Sequence, residues 1–159
     1  MVMESINPAT EEVMARFDEF TPQQIEAALA TAEATFRRWR ATSFAERSAK
    51  MREAAKYLRA NKERYGRLIT QEMGKPIVEA EAEVEKCAWN CDFYAENAER
   101  FLADEEAPSN ASRSYVAYEP LGVILAVMPW NFPFWQVIRF AAPAIAAGNV
   151  GLLKHASNV

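Results

Sequence analysis

The side chains best placed to do chemistry lie in the last third of the chain. Arg139 is the only charge in an apolar helical stretch that starts near Pro133. A guanidinium there needs a carboxylate, either on residues beyond the chain end or on a ligand, which it can grip through two parallel hydrogen bonds. Helical spacing puts Phe132 and Gln136 near the same face, so both can line the passage the arginine serves. Asn131 stands between Pro129 and Pro133, beside Trp130. Taken alone, it reads as a turn asparagine, and a lone tryptophan as core. Lys154 closes a short apolar strand, at the carboxyl end where open α/β sheets bind ligands; the plain alternative is a solvated lysine.

Residue types and spacing exclude several other chemistries. Cys87 and Cys91 fall on the apolar stripe of a long helix, where a thiol acts as a small hydrophobe and its thiolate is disfavoured. With no second cysteine pair and no histidine cluster, neither a disulfide scaffold nor a metal site is expected. There is no G-x-G-x-x-G and no G-x-x-x-x-G-K-[ST], so a bound nucleotide must be held some other way. The 159 residues, half of them apolar, with formal net charge −4, suit one compact domain or a large piece of a bigger one. Lysines and arginines are dispersed, which gives no footprint for nucleic acid or an anionic membrane. Pro120 to Ile138 is uncharged over nearly a bilayer's length, but Pro129 and Pro133 break any continuous helix there. The first residues lack a basic stretch followed by an apolar core, so a cytoplasmic location is the default expectation.

The positioning elements follow from periodicity. A turn at Asn7-Pro8 precedes a strand within Glu12 to Phe20, and Thr21-Pro22 opens a helix with an apolar stripe of Ile25, Leu29, Ala32, Phe36 and Trp39. Ser43 and Glu46 form a capping box for a second helix that buries Phe44, Met51, Ala55 and Leu58. Asn61 is expected to cap a third helix ending near Gly74. In the fourth, Ile77, Ala80, Val84, Cys87, Cys91, Tyr94, Ala98 and Phe101 make the longest stripe. Asp104 to Asn110 reads as a loop, Arg113 to Glu119 as an exposed strand, and Gly122 to Met128 as a strand buried in a parallel sheet. A helix from about Pro133 to Ala147 and a strand from Asn149 to Lys154 complete a β-α-β unit, making the segments after Met128 and Leu153 neighbouring loops on one rim.

The run Met128-Pro129-Trp130-Asn131-Phe132-Pro133 closely resembles the signature of the aldehyde dehydrogenase superfamily, with Lys154-His155-Ala156-Ser157 at its second cofactor loop. The resemblance extends to Ile6-Asn7-Pro8-Ala9-Thr10, Glu72-Met73-Gly74-Lys75-Pro76 and Glu119-Pro120-Leu121-Gly122-Val123. It implies an α/β fold: residues 1–159 as the N-terminal part of an atypical Rossmann-type cofactor-binding domain. It also implies N-terminal helices and an oligomerisation strand region around 111–125, hence a homo-oligomer. The nucleophilic cysteine, the glutamate base and the catalytic domain would follow Val159.

By the same resemblance, Asn131 supplies an oxyanion-hole amide, a donor type worth about 3 kcal/mol of barrier. Val127, Met128 and Trp130 would shape one wall of the cofactor groove; Lys154 would bind the adenosine ribose, within the loop of Lys154, His155, Ala156 and Ser157. Many NAD-preferring relatives carry glutamate where this chain has Ser157. A neutral hydroxyl beside a lysine favours NADP, with NAD the weaker alternative. Arg139 resembles the branch of the family acting on succinate semialdehyde, where it helps hold the distal carboxylate; Phe132, Trp135 and Gln136 would line that site. The expected reaction is oxidation of succinate semialdehyde to succinate with NADP, through a cysteine thiohemiacetal and thioester. Another acidic semialdehyde is the alternative substrate, and a non-catalytic cofactor-binding or assembly module the alternative function if the natural chain ends at Val159.

Overall fold

Helix α4 (Ile77–Phe101) is the member on which three of the other helices pack, in a computed structural model that describes residues 2–157. Its buried positions are mostly small: Ala80, Val84, Cys87, Ala88, Cys91, Ala95 and Ala98. Short side chains let the backbones of α2 (Phe44–Ala60), α3 (Lys62–Met73) and α5 (Pro133–Ala146) come close. Met51, Ala55 and Leu58 from α2, Ile69 from α3 and Ala142 from α5 complete one core with it. The expected stripe is not buried at its ends, where Ile77 and Phe101 are 40% and 45% exposed. At 25 residues, α4 outreaches partners of 17, 12 and 14.

Local chemistry sets most element boundaries. Thr21 and Gln24 form a reciprocal capping box at the start of α1 (Pro22–Trp39), and Ser43 and Glu46 form the expected one at α2. Asn61 does not cap α3. Its backbone lies outside the extended region a cap requires, and its side-chain amide donates instead to the Tyr57 carbonyl, 2.8 Å away. Gly74, at φ 72°, ends α3 in the left-handed conformation. Along α1, Ala32 is buried and Phe36 and Trp39 half-buried, but Ile25 and Leu29 stay exposed among the described residues, so only the C-terminal half of that stripe is core.

Among the described residues, three two-stranded sheets complete the fold. β1 (Val2–Ile6) and β2 (Val13–Asp18) form an antiparallel hairpin around the Asn7-Pro8 turn. The expected loop at 104–110 contains β3 (Glu105–Glu106), which pairs with β4 (Tyr115–Val116), all that is paired of the strand expected over Arg113 to Glu119. β5 (Val123–Val127) and β6 (Val150–Lys154) pair in parallel through α5, the expected β-α-β unit. β5 is less buried than its apolar run suggests. Leu125 and Val127, on one face, are 66% and 65% exposed, because the described residues leave that face of the pair uncovered.

Arg47 of α2 is buried although charged. Its Nη1 donates to the Ala146 carbonyl at 3.0 Å, and its guanidinium stacks 4.4 Å from the Phe44 ring centroid. Gly148, at φ 90°, follows, and a Cβ there would come within 2.6 Å of Arg47 Nη1. Gly148→Ala combines backbone strain with eviction of a buried donor, so it is expected to lower stability by about 1–3 kcal/mol. A urea midpoint equal to that of the parent would contradict this packing. Burial pushes the thiol of Cys87 up to about 12 and that of Cys91 to about 11. At pH 8 a thiol reagent should therefore leave both unlabelled in the folded protein and label both in urea, as read by peptide mass mapping.

Candidate active site at the start of helix α5

The segment Met128 to Phe132 leaves β5 and enters α5 with Pro133 at the first helical position. Proline suits that position, because its fixed φ is already helical and no N–H is lost. The next amides still require acceptors, and Phe132, as N-cap, offers no side-chain oxygen. Glu83 of α4 supplies one. Its Oε1 accepts from the N–H of Phe134 at 3.0 Å and of Trp135 at 2.9 Å.

The other oxygen of Glu83 accepts from the ammonium of Lys75. Lys75 also donates to the Asn131 carbonyl at 3.3 Å, and its Nζ stands 3.8 Å from the centroid of the Phe132 ring. Both side chains are nearly enclosed, at 7% and 2% exposure. The carboxylate thus meets the positive end of the α5 dipole and a matching cation in one buried cluster. Sequence reading missed this pair. The available signal was Glu83, a charge at helical spacing between Ala80 and Cys87 on an otherwise apolar face.

The β5–β6 register places Val127 opposite Lys154, and the Met128 N–H donates to the Lys154 carbonyl at 3.1 Å. The loop of Asn131 and the loop of Lys154 to Ser157 therefore lie side by side, as the β-α-β pattern requires. Around this rim Val127, Trp130, Asn131, Lys154, His155 and Ser157 are exposed, while Met128 and Ala156 are half-buried. Among the described residues, none hydrogen-bonds the side-chain amide of Asn131. His155 Nδ1 lies 2.8 Å from the Ala156 carbonyl, a contact within the loop itself. No carboxylate occurs from Lys154 to Ser157.

Arg139 differs from the expectation of a costly buried charge. It is exposed on α5, and no described carboxylate lies within ion-pair distance. Gln136 is half-buried one turn before it. Phe132 is 43% exposed, with its ring partly claimed by Lys75. Trp135 faces elsewhere: it packs against the core, with the Lys86 ammonium 4.0 Å from its ring centroid. Its ring is engaged with α4, not free to line a passage. Among the described residues no group of three or more histidine, cysteine or acidic side chains converges to hold a metal, and no helix is long and apolar enough to cross a membrane.

Comparison with known proteins extends over the same residues. A probable succinate-semialdehyde dehydrogenase [NADP(+)] from Synechocystis sp. is 54% identical over 159 residues, covering 100% of this chain and 35% of the relative. Succinate-semialdehyde dehydrogenase [NADP(+)] 1 from Mycobacterium tuberculosis is 52% identical over 162 residues, with 100% and 35% covered. The chain thus spans about a third of the length of the curated relatives it matches. A solved succinic semialdehyde dehydrogenase from Streptococcus pyogenes, in complex with NADP+, superposes with a TM-score of 0.93 at 38% identity, over 98% of this chain and 34% of that one. The fold is therefore the N-terminal part of the aldehyde dehydrogenase fold. With the aldehyde dehydrogenase family model matching residues 1–159 and such identity along the whole length, the chain belongs to the aldehyde dehydrogenase family.

Proposed function

We propose that this chain provides the cofactor-side and oxyanion-binding elements of an NADP-linked succinate-semialdehyde dehydrogenase. The carrying observation is the juxtaposition of the Asn131 loop with the Lys154–Ser157 loop through the Val127–Lys154 register and the Met128 bond. Names borne by relatives along the full chain support the substrate and cofactor.

The rim fits a phosphorylated dinucleotide. Lys154 offers a free ammonium to ribose hydroxyls and phosphate, Ser157 offers a hydroxyl, and no carboxylate stands in that loop to repel a 2′-phosphate. NAD binds the same groups with one fewer anionic contact and is the weaker cofactor. Trp130, Val127 and Met128 form the adjoining wall, and His155 and Ala156 carry the loop between its two polar ends. A dinucleotide held on this rim would supply the hydride acceptor. The chain's own contribution to the chemical step is the Asn131 amide, free to donate to an aldehyde oxygen as charge develops on it.

Arg139, exposed and without a carboxylate partner among the described residues, grips the distal carboxylate of the substrate, with Gln136 and Phe132 alongside. Trp135 supports this site from the α4 side. The nucleophile is neither Cys87 nor Cys91, both buried as neutral thiols. The strand region 111–125 joins subunits in a homo-oligomer of cytoplasmic location.

Two variants of the protein, as its natural source makes it, test this reading. Arg139→Ala removes a charge-assisted contact worth about 1.5–3 kcal/mol, so kcat/KM for succinate semialdehyde should fall roughly 10- to 100-fold while an uncharged aliphatic aldehyde is spared. Equal losses on both substrates would make the arginine structural. Ser157→Glu sets a carboxylate against the 2′-phosphate and should lower the NADP-to-NAD preference by about tenfold or more. An unchanged ratio would place that phosphate elsewhere.

A further inference from the structure

We propose that Lys75 and Glu83 are positioning residues: from the core, they aim the Asn131 amide by fixing the backbone it hangs on. The inference rests on the oxyanion reading of Asn131 given above. Together the two side chains account for the path from Asn131 to Trp135. Lys75 binds the carbonyl of Asn131 and the ring of Phe132, Pro133 has its φ locked by its own ring, and Glu83 binds the amides of Phe134 and Trp135.

The source of the cap matters. An ordinary N-cap is supplied by the helix's own first residues and moves with its loop. Here the acceptor lies 51 residues earlier, on α4, so the start of α5 is tied to the best-packed helix of the fold. The exposed rim inherits its geometry from that buried carboxylate. Simple filling of this space would be served by two apolar side chains, without the desolvation of two charges.

Misplacement of a catalytic donor by about an ångström can cost on the order of a hundredfold in rate. Glu83→Gln keeps the shape but cannot accept from the helix amides and from Lys75 together. In the full natural polypeptide it should lower kcat about 10- to 100-fold with little change in KM for the cofactor. In an Asn131→Ala background the same change should cost nothing further, because there is no longer an amide to aim. Lys75→Met should behave alike.

The outcomes separate the two claims. If Asn131→Ala alone leaves kcat intact, the oxyanion reading fails and the positioning role falls with it. If Asn131→Ala slows turnover but folded Glu83→Gln is as fast as the parent, or equally costly in both backgrounds, only the positioning role is overturned. Should the Lys75 and Glu83 variants fail to fold, hydrogen exchange on the unmutated protein decides. The Phe134 and Trp135 amides should then exchange as slowly as those in the middle of α4, and exchange as fast as the open segment 108–113 would overturn the proposal.

Discussion

A carboxylate enclosed by helices must be matched in charge and hydrogen bonding to offset its lost hydration, and Glu83 is matched on both oxygens. One oxygen closes the N-terminus of α5 and the other holds Lys75, so two helices and the preceding loop share one electrostatic knot. Removing one member of such a buried pair typically costs about 3–5 kcal/mol, because the survivor is left uncompensated. That asymmetry makes the pair a constraint on its surroundings more than a net source of stability.

The opposite end of α5 is held by complementary means. Arg47 and the Trp39 indole donate to the carbonyls of Ala146 and Ile145, at 3.0 and 2.9 Å, where the helix dipole is negative. An acidic group at one end and a basic one at the other, both from other helices, fix α5 along its axis. Midway, Asn90 of α4 donates to the Ile138 carbonyl at 3.4 Å. The helix that carries Gln136 and Arg139 is therefore a rigid mount, and the exposed rim at its start is held by the buried framework beneath it.

Much of this architecture was legible in the sequence. The capping boxes, the α4 stripe and the β-α-β unit each rest on local chemistry or short periodicity, which one chain states directly. Asn61 was misread because a cap depends on backbone conformation as well as residue type, and α3 starts too abruptly after α2 to leave an extended residue. Ile25 and Leu29 show the limit of periodicity, which tells which face is apolar but not what covers it. The Asn131 and Lys154 loops could be placed on one rim because strand order fixes adjacency. Lys75 and Glu83 are only eight residues apart, but Lys75 lies in the short link before α4, outside its helical period, and the segment both clamp is distant in sequence, so the pair could not be assigned in advance.

The contact between the two rim loops is made by backbone: one ladder register and one N–H to carbonyl bond between Met128 and Lys154. Among the described residues no side-chain hydrogen bond joins the two loops. The residue at 157 can therefore vary in charge, and the loop that carries it can drift in sequence, without disturbing the geometry at 131. On the proposed reading of these two loops, a scaffold joined this way lets nucleotide preference and carbonyl chemistry evolve as separate traits on one frame.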